Sequence, residues 1–269
     1  MKVKLIVLFI LIFLIILFIL IFLIILLYFF KYKIKHRLYL EKLYFSGKVE
    51  HYEVKEKIPK IIHQTWKTQE LPENFKLWSN IIKEKHPDWK YMLWTDESNR
   101  NFIKQNYSWF LNIYDSYDEN IKRVDAVRYF LLYHYGGVYI DMDFICLKPL
   151  NDILDTNQAV FGYQFKDENK EGSIANAFMA CPPKHHLFEL CINMLQYFTK
   201  EHVLNSTGPT FLTYMIKNYY FSEELKIYKM PIIYTHEWNE KGCKDYTECL
   251  KKYPHSYTST FWTGTWMKK

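Results

Sequence analysis

Several familiar signatures are missing from this 269-residue chain. It has no G-x-x-x-x-G-K-[ST] and no G-x-G-x-x-G segment, which excludes the phosphate cradles built on those loops. No G-x-S-x-G elbow occurs, and the ten His include no H-E-x-x-H pair; surface or capping roles account for His185-His186. The five Cys have no paired C-x-x-C spacing of the kind that holds zinc. Cys243 and Cys249 could close a short loop in an oxidising compartment, or stand as free thiols. The distal part of the chain also lacks net charge. Ten of the 35 Lys/Arg and four of the 29 Asp/Glu fall in residues 1–57, which carries the whole formal charge of +6 and leaves residues 58–269 neutral. That balance argues against nucleic acid as a partner. It favours a small ligand held by a few placed groups.

Charge is also absent from Leu5 to Phe30, an unbroken apolar run. As a helix it would reach roughly 39 Å, more than the ~30 Å hydrocarbon core of a bilayer. A cleaved signal peptide would have a shorter apolar stretch of roughly 7–15 residues ending in small side chains. This run ends Leu27-Tyr-Phe-Phe30, which reads as an uncleaved signal-anchor. The expected organisation is a transmembrane anchor over 1–30, a basic juxtamembrane stem over 31–57 and a catalytic domain over 58–269. The flanks disagree about orientation. Lys2 and Lys4 precede the run, while Lys31, Lys33, Lys35 and Arg37 follow it, so the Lys/Arg count puts the C-terminal flank in the cytoplasm. A single-pass type II enzyme of a secretory-pathway membrane needs the opposite. The second cluster also fits a collar on lipid head groups. Asn106-Tyr-Ser and Asn205-Ser-Thr fit the N-glycosylation pattern, which is too common to settle the compartment.

After Ile58-Pro59, apolar runs alternate with amphipathic segments, with no internal repeat. Strands are expected over 60–66, 91–94, 138–140, 159–165, 177–181 and 227–234, the last around Pro231. Helices are expected over 72–86, 97–107, 119–135, 186–199 and 210–220. Alternation of this kind predicts an α/β sheet with helices on both faces and a ligand site beyond the carboxyl ends of strands. Most of the 23 Tyr and 20 Phe stand at core-like spacing and read as packing rather than as ligand platforms.

The chemistry concentrates in Gly136-Gly137-Val-Tyr-Ile-Asp141-Met-Asp143. The diglycine ends a helix and turns the chain into a strand. Alternation along that strand would put Asp141 and Asp143 on one side. Two carboxylates there can hold Mg²⁺ or Mn²⁺ and bridge it to a diphosphate. An isolated Asp-x-Asp is common and usually a solvated turn. Here an apolar strand precedes the pair, and before that comes a helix carrying Arg123, Asp125 and Arg128. Asp125 and Arg128, three apart, share a helix face. They read either as a surface ion pair or as a fork for sugar hydroxyls.

Arg123-Val-Asp125-Ala-Val-Arg128-Tyr followed by Gly136-Gly137-Val-Tyr-Ile-Asp141-Met-Asp143 resembles the DXD-containing sugar-binding region of glycosyltransferase family 32. Ile58-Pro-Lys-Ile-Ile-His63-Gln-Thr-Trp66 is similar to that family's opening. Met92-Leu-Trp-Thr-Asp96, Asn176-Ala-Phe-Met and Ser206-Thr-Gly208-Pro209 resemble the inositol-phosphoceramide mannosyltransferase and initiating α-mannosyltransferase branch. The resemblance covers about residues 58–220. It implies a GT-A-type, Rossmann-like nucleotide-sugar-binding domain and a retaining, Mn²⁺- or Mg²⁺-dependent hexosyl transfer. The implied donor is GDP-mannose or a UDP-sugar, and the acceptor a glycolipid or glycan at a membrane. By motif position, Asp125 and Arg128 would hold the donor sugar. Asp141 would contact sugar and ribose, Asp143 would ligate the metal, Trp66 would meet the nucleotide, and Asn176 would lie near sugar or acceptor. Family members often end in a His and a later Ser-Trp that close over the donor. Here His255 precedes Ser259-Thr-Phe-Trp262, a Thr-Phe insertion that leaves the roles of His255 and Trp262 open.

Independently of that likeness, departure of a nucleoside diphosphate builds negative charge that a divalent ion can stabilise. The sugar left behind is oxocarbenium-like, and nearby carboxylates can stabilise it. No Asp or Glu outside the donor set offers itself as a covalent nucleophile, so front-face attack by the acceptor is one route to retention. Two other classes compete. One is a membrane-tethered nucleotide-sugar-binding protein without turnover, suggested by the altered Trp262 segment. The other is an Asp-x-Asp phosphohydrolase, which the mid-chain position of the motif and Ile145 two residues beyond it disfavour.

Overall fold

The computed structural model describes residues 11–28, 56–219 and 222–265. The chain divides into two compact units, residues 1–50 and 51–269. In the first, Leu11–Tyr28 forms helix α1, with a mean hydropathy of 3.6 and its side chains exposed. Among the described residues it is the one helix long and apolar enough to cross a membrane. The expected stem lies almost wholly outside the described residues.

The second unit begins with β1 (Ile61–Thr65), α2 (Glu73–Lys85), β2 (Lys90–Trp94), α3 (Asp96–Asn106), α4 (Ser108–Ser116), α5 (Asn120–Tyr135) and β3 (Gly137–Ile140). It continues with β4 (Phe144–Cys146), α6 (Asn151–Leu154), β5 (Ala159–Tyr163), β6 (Ile174–Cys181) and α7 (His186–Met194). The last elements are α8 (Val203–Ser206), α9 (Pro209–Lys217), β7 (Leu225–Tyr228), α10 (Tyr246–Lys252) and β8 (Thr258–Thr260). Six strands make one sheet in the order β2-β1-β3-β6-β5-β7, and β4 pairs with β8 in a separate ribbon. Strand β6 runs antiparallel to both neighbours, while β2, β1 and β3 are parallel, as are β5 and β7. Five strands therefore point one way. Their carboxyl ends and the amino end of β6 share one edge.

Period-2 alternation sorts the side chains. Ile62, Val138, Ala180 and Val160 form a row on one face and join Ile82 of α2 and Ile153 of α6 in a buried core. The next row, His63, Tyr139, Met179 and Phe161, faces α5 and α7; His63 meets Tyr135, and Phe161 stacks on Phe188. The expected α/β sheet with helices on both faces is what forms.

Several expected boundaries move. The strand expected over 227–234 stops at Tyr228, ahead of Pro231, which has no N–H for a ladder. The helix expected over 186–199 ends at Met194 and continues as a 3₁₀ turn to Tyr197. Helices α4 and α10 and the β4–β8 ribbon were not expected from periodicity, because each is only three to nine residues long. Strand β3 ends at Ile140, so Asp141 and Asp143 do not alternate along a strand. They lie in the turn that leads into β4, with the Phe144 N–H donating to the Asp141 carbonyl at 3.2 Å.

Candidate active site

The chain leaves β1 for β2 on one side and returns from β2 to β3 on the other. The carboxyl ends of β1 and β3 therefore flank a topological switch point, where open α/β sheets bind ligands. Gly137 lets these strands close on each other. Its φ is +92°, and a Cβ there would sit 2.5 Å from the Ile61 carbonyl oxygen. Gly136, at φ +64°, ends α5, with its N–H on the Leu132 carbonyl at 2.8 Å. The diglycine thus carries α5 directly into β3 and brings Asp125, Arg128 and Asp141 to one place.

Arg128 is the hub. It is buried, and its guanidinium pairs with Asp125 at 2.7 Å and with Asp141 at 3.3 Å. It also donates to the Asn176 carbonyl at 2.8 Å and lies over the Tyr139 ring at 4.4 Å. Burial opposes its charge, but Asp141, Tyr139 and Asp125 hold its pKa above the ordinary value. Asp141 keeps about a third of its side chain exposed, and burial of the rest raises its pKa. Its Oδ1 accepts the Tyr139 hydroxyl at 2.9 Å. Because that hydroxyl has one proton, Thr65, 2.8 Å away, must donate to it. Asp125 is pushed up to about 6, first by burial and then by the Asp141 charge, with Arg128 opposing. The Thr207 hydroxyl lies 3.5 Å from Asp125, and the Asn176 amide donates to the Thr207 carbonyl at 3.3 Å. Asn176 sits near the amino end of β6, which explains why it reaches the same edge. The surface ion-pair reading of Asp125 and Arg128 is therefore excluded by their burial.

Asp143 is held by the far end of the sequence. Oδ2 accepts both the backbone N–H and the hydroxyl of Thr263, at 2.9 and 3.0 Å. Its carbonyl accepts the Phe261 N–H at 2.9 Å. Burial and the Asp141 charge raise its pKa to about 6, against the Thr263 hydrogen bonds. Trp262 stacks on Tyr234, with centroids 5.8 Å apart, and donates its indole N–H to the His236 carbonyl at 3.1 Å. The Thr-Phe insertion does not carry this segment away from the motif. Phe261 stacks on Trp78 at 4.4 Å, and the segment still returns to Asp143. Cys243 and Cys249 form a disulfide, and Cys243 Sγ lies 3.5 Å from the Ser259 hydroxyl.

Two expected residues stand apart from the cluster. Trp66 follows β1, donates its N–H to the Trp94 carbonyl at 2.9 Å and packs edge-on against Phe75. It lines the nearby β1–β2 edge. His255 is exposed in the turn before β8. Antiparallel pairing sets Thr258 opposite Cys146 and Thr260 opposite Phe144, so His255 projects from the end of the ribbon away from Asp143. The histidine that approaches Trp262 is His236. Sequence reasoning also missed Tyr139, Thr207 and Thr263 as members of the cluster. Thr207 lay within a recognised segment, whereas nothing local marked Thr263.

Among the described residues no three His, Cys, Asp or Glu side chains gather as a metal cage. Asp141 and Asp143 fit a different arrangement. They are partly exposed hard oxygen donors two positions apart; burial disfavours the charge of each, and while Asp141 is answered by Arg128, no ion pair meets Asp143 among the described residues. These two carboxylates are the residues that would hold a Mg²⁺ or Mn²⁺ ion.

Residues 72–160, which include α5, the diglycine and both aspartates, match the model for "Glycosyltransferase sugar-binding region containing DXD motif". The chain is 38% identical over 187 residues to inositol phosphoceramide mannosyltransferase 1 of Schizosaccharomyces pombe, covering 66% of this chain and 57% of that protein. It is 40% identical over 168 residues to a mannosyl phosphorylinositol ceramide synthase of Saccharomyces cerevisiae, covering 60% of this chain and 42% of that protein. The chain thus spans about half the length of these relatives. Among solved structures, the PaToxG glycosyltransferase aligns with a TM-score of 0.47 at 16% identity, over 71% of this chain and 82% of that one. The motif order and the relatives agree: residues 72–160 match a glycosyltransferase sugar-binding region containing a DXD motif, and these relatives are, by their assigned activities, mannosyltransferases.

Proposed function

We propose that this chain is a divalent-metal-dependent, retaining mannosyltransferase of GT-A type that moves mannose from GDP-mannose to a membrane glycolipid. The observation that carries the reading is the buried Asp125–Arg128–Asp141 cluster, set beside Asp143 at the sheet's switch point. In it, Asp125 and Arg128 hold sugar hydroxyls, with Asn176 beside them. Asp141 meets sugar and ribose, and Asp143 ligates Mn²⁺ or Mg²⁺. Trp66 packs against the nucleotide, and Trp262 closes the donor side; His255 contributes nothing from its exposed turn. The bond from C1 to the diphosphate oxygen breaks, and the electron pair leaves with the nucleotide. The metal, when bound, supplies charge to that leaving group. The acceptor hydroxyl oxygen bonds to C1 from the face the diphosphate leaves and passes its proton to the departing diphosphate oxygen, and no side chain is assigned as a covalent nucleophile. The choice of mannose and of a lipid acceptor rests on the named activities of the relatives.

Helix α1 and the expected apolar run support a single-pass anchor that keeps the site near lipid head groups. The Cys243–Cys249 disulfide favours an oxidising lumen, hence a type II orientation in the secretory pathway, against the simple Lys/Arg count. The test is nucleotide release from GDP-mannose and the common UDP-sugars in Mn²⁺. Slow hydrolysis of one donor is expected. EDTA should abolish it, and so should Asp143→Asn with an unchanged circular dichroism spectrum. Full activity in Asp143→Asn would overturn the metal assignment. Donor binding without hydrolysis or transfer to any acceptor would favour a binding protein.

A further inference from the structure

We propose that Thr263 is a positioning residue for the metal ligand: it fixes one oxygen of Asp143 so that the other faces the cation, and it thereby couples metal affinity to the C-terminal segment. The inference rests on the reading of Asp143 as a metal ligand.

The two carboxylate oxygens of Asp143 are treated differently. Oδ2 takes two hydrogen bonds from one residue, the N–H and the hydroxyl of Thr263. Among the described residues Oδ1 receives only the distant Thr260 hydroxyl at 3.5 Å, which leaves its lone pairs for an incoming cation. Two donors on one oxygen define the carboxylate plane. A free carboxylate must lose its rotation when metal binds, and one already clamped loses less. Partners behind a metal ligand act in this way and commonly affect affinity by about 10–100-fold.

The backbone around Thr263 is shaped for this contact. Trp262 has φ +48°, a left-handed conformation that costs a non-glycine residue roughly 1–3 kcal/mol. The surroundings hold it there. Its N–H donates to the Thr260 hydroxyl at 3.2 Å, its indole N–H to the His236 carbonyl, and its ring lies on Tyr234. The kink reverses the chain just after β8 and aims the Thr263 N–H at the carboxylate. Thr263 itself is exposed, so its hydrogen bonds add little to the stability of the fold. Strain beside an exposed contact is better explained by orientation of the ligand than by packing. Because coupling is reciprocal, metal bound at Asp143 also steadies the segment that carries Trp262.

The experiment titrates Mn²⁺ into the full chain in detergent, with and without GDP, and follows free Mn²⁺ by electron paramagnetic resonance. Thr263→Val keeps size and the backbone N–H but loses the hydroxyl. It should weaken Mn²⁺ binding about tenfold, with a melting temperature in EDTA close to that of the unaltered protein. Thr263→Ser should restore the affinity, which a general structural defect would not allow. Unaltered affinity in Thr263→Val, while Asp143→Asn loses Mn²⁺, would overturn the role of Thr263 alone. Unaltered affinity in Asp143→Asn would remove Asp143 from the metal site, and both readings with it.

Discussion

At the scale of single residues, Arg128 shows how this site constrains its own chemistry. One guanidinium answers two carboxylates and a backbone carbonyl, which a point-like ammonium could not do. Arg128→Met would leave buried Asp125 and half-buried Asp141 without a counter-charge, and a loss of about 3–5 kcal/mol is expected near pH 8. The pH dependence has a definite sign. Asp125 titrates at about 6 with Arg128 present, and removing the arginine raises it further. Below pH 6 the folded forms of both proteins carry a protonated Asp125, so its share of the penalty fades. Above pH 6 the variant must either bury an unpaired charge or retain a proton, and the penalty grows. Urea denaturation at pH 5 and pH 8 measures the difference; equal penalties at both would mean that Asp125 is not the group that feels Arg128.

At the scale of elements, the turn from α5 to β3 aligns the whole cluster. Arg128 and Asp125 belong to the helix and Asp141 follows the strand, so two glycines set their relative positions. Gly137→Ala adds a Cβ that meets backbone and side chain of Ile61 at 2.5 and 2.9 Å, at a φ that alanine rarely adopts. A loss of about 2–4 kcal/mol is expected by chemical denaturation. Donor hydrolysis should fall more than stability alone explains, because β3 must shift and carry Asp141 with it. The short elements serve a second purpose. The β4–β8 ribbon and its disulfide-bearing neighbour bring residues 258–263 back to a motif more than a hundred positions earlier.

At the scale of the molecule, the two units are expected to have separable roles. Residues 51–269 contain the sheet, both helical layers and all members of the candidate site, while α1 exposes apolar side chains throughout. A chain beginning at Ile58 is expected to fold without detergent and to hydrolyse donor at a rate comparable to the full protein. Transfer to a glycolipid in vesicles should fall when the anchor is absent, because tethering raises local acceptor concentration. Purification, circular dichroism and parallel assays on the two forms check this; equal transfer to vesicles would deny the anchor a role in acceptor access.

The sequence alone determined what is local. Leu5–Phe30 announced an apolar span by length and lack of charge, and helical spacing located α2, α3 and α5 within one or two residues. The run from Arg123 to Asp143 marked Asp125, Arg128, Asp141 and Asp143 as candidates, because its parts are short-range patterns. Tertiary structure decided the rest. It ended β3 at Ile140, and so turned an expected pair on one strand face into two residues of a turn. It moved His255 away, because antiparallel pairing of β4 with β8 fixes which end meets Asp143. It closed the Cys243–Cys249 disulfide and brought Thr207 and Thr263 to Asp125 and Asp143. These are contacts between residues about 80 and 120 positions apart. No periodicity encodes such contacts, because they depend on how the sheet orders its strands.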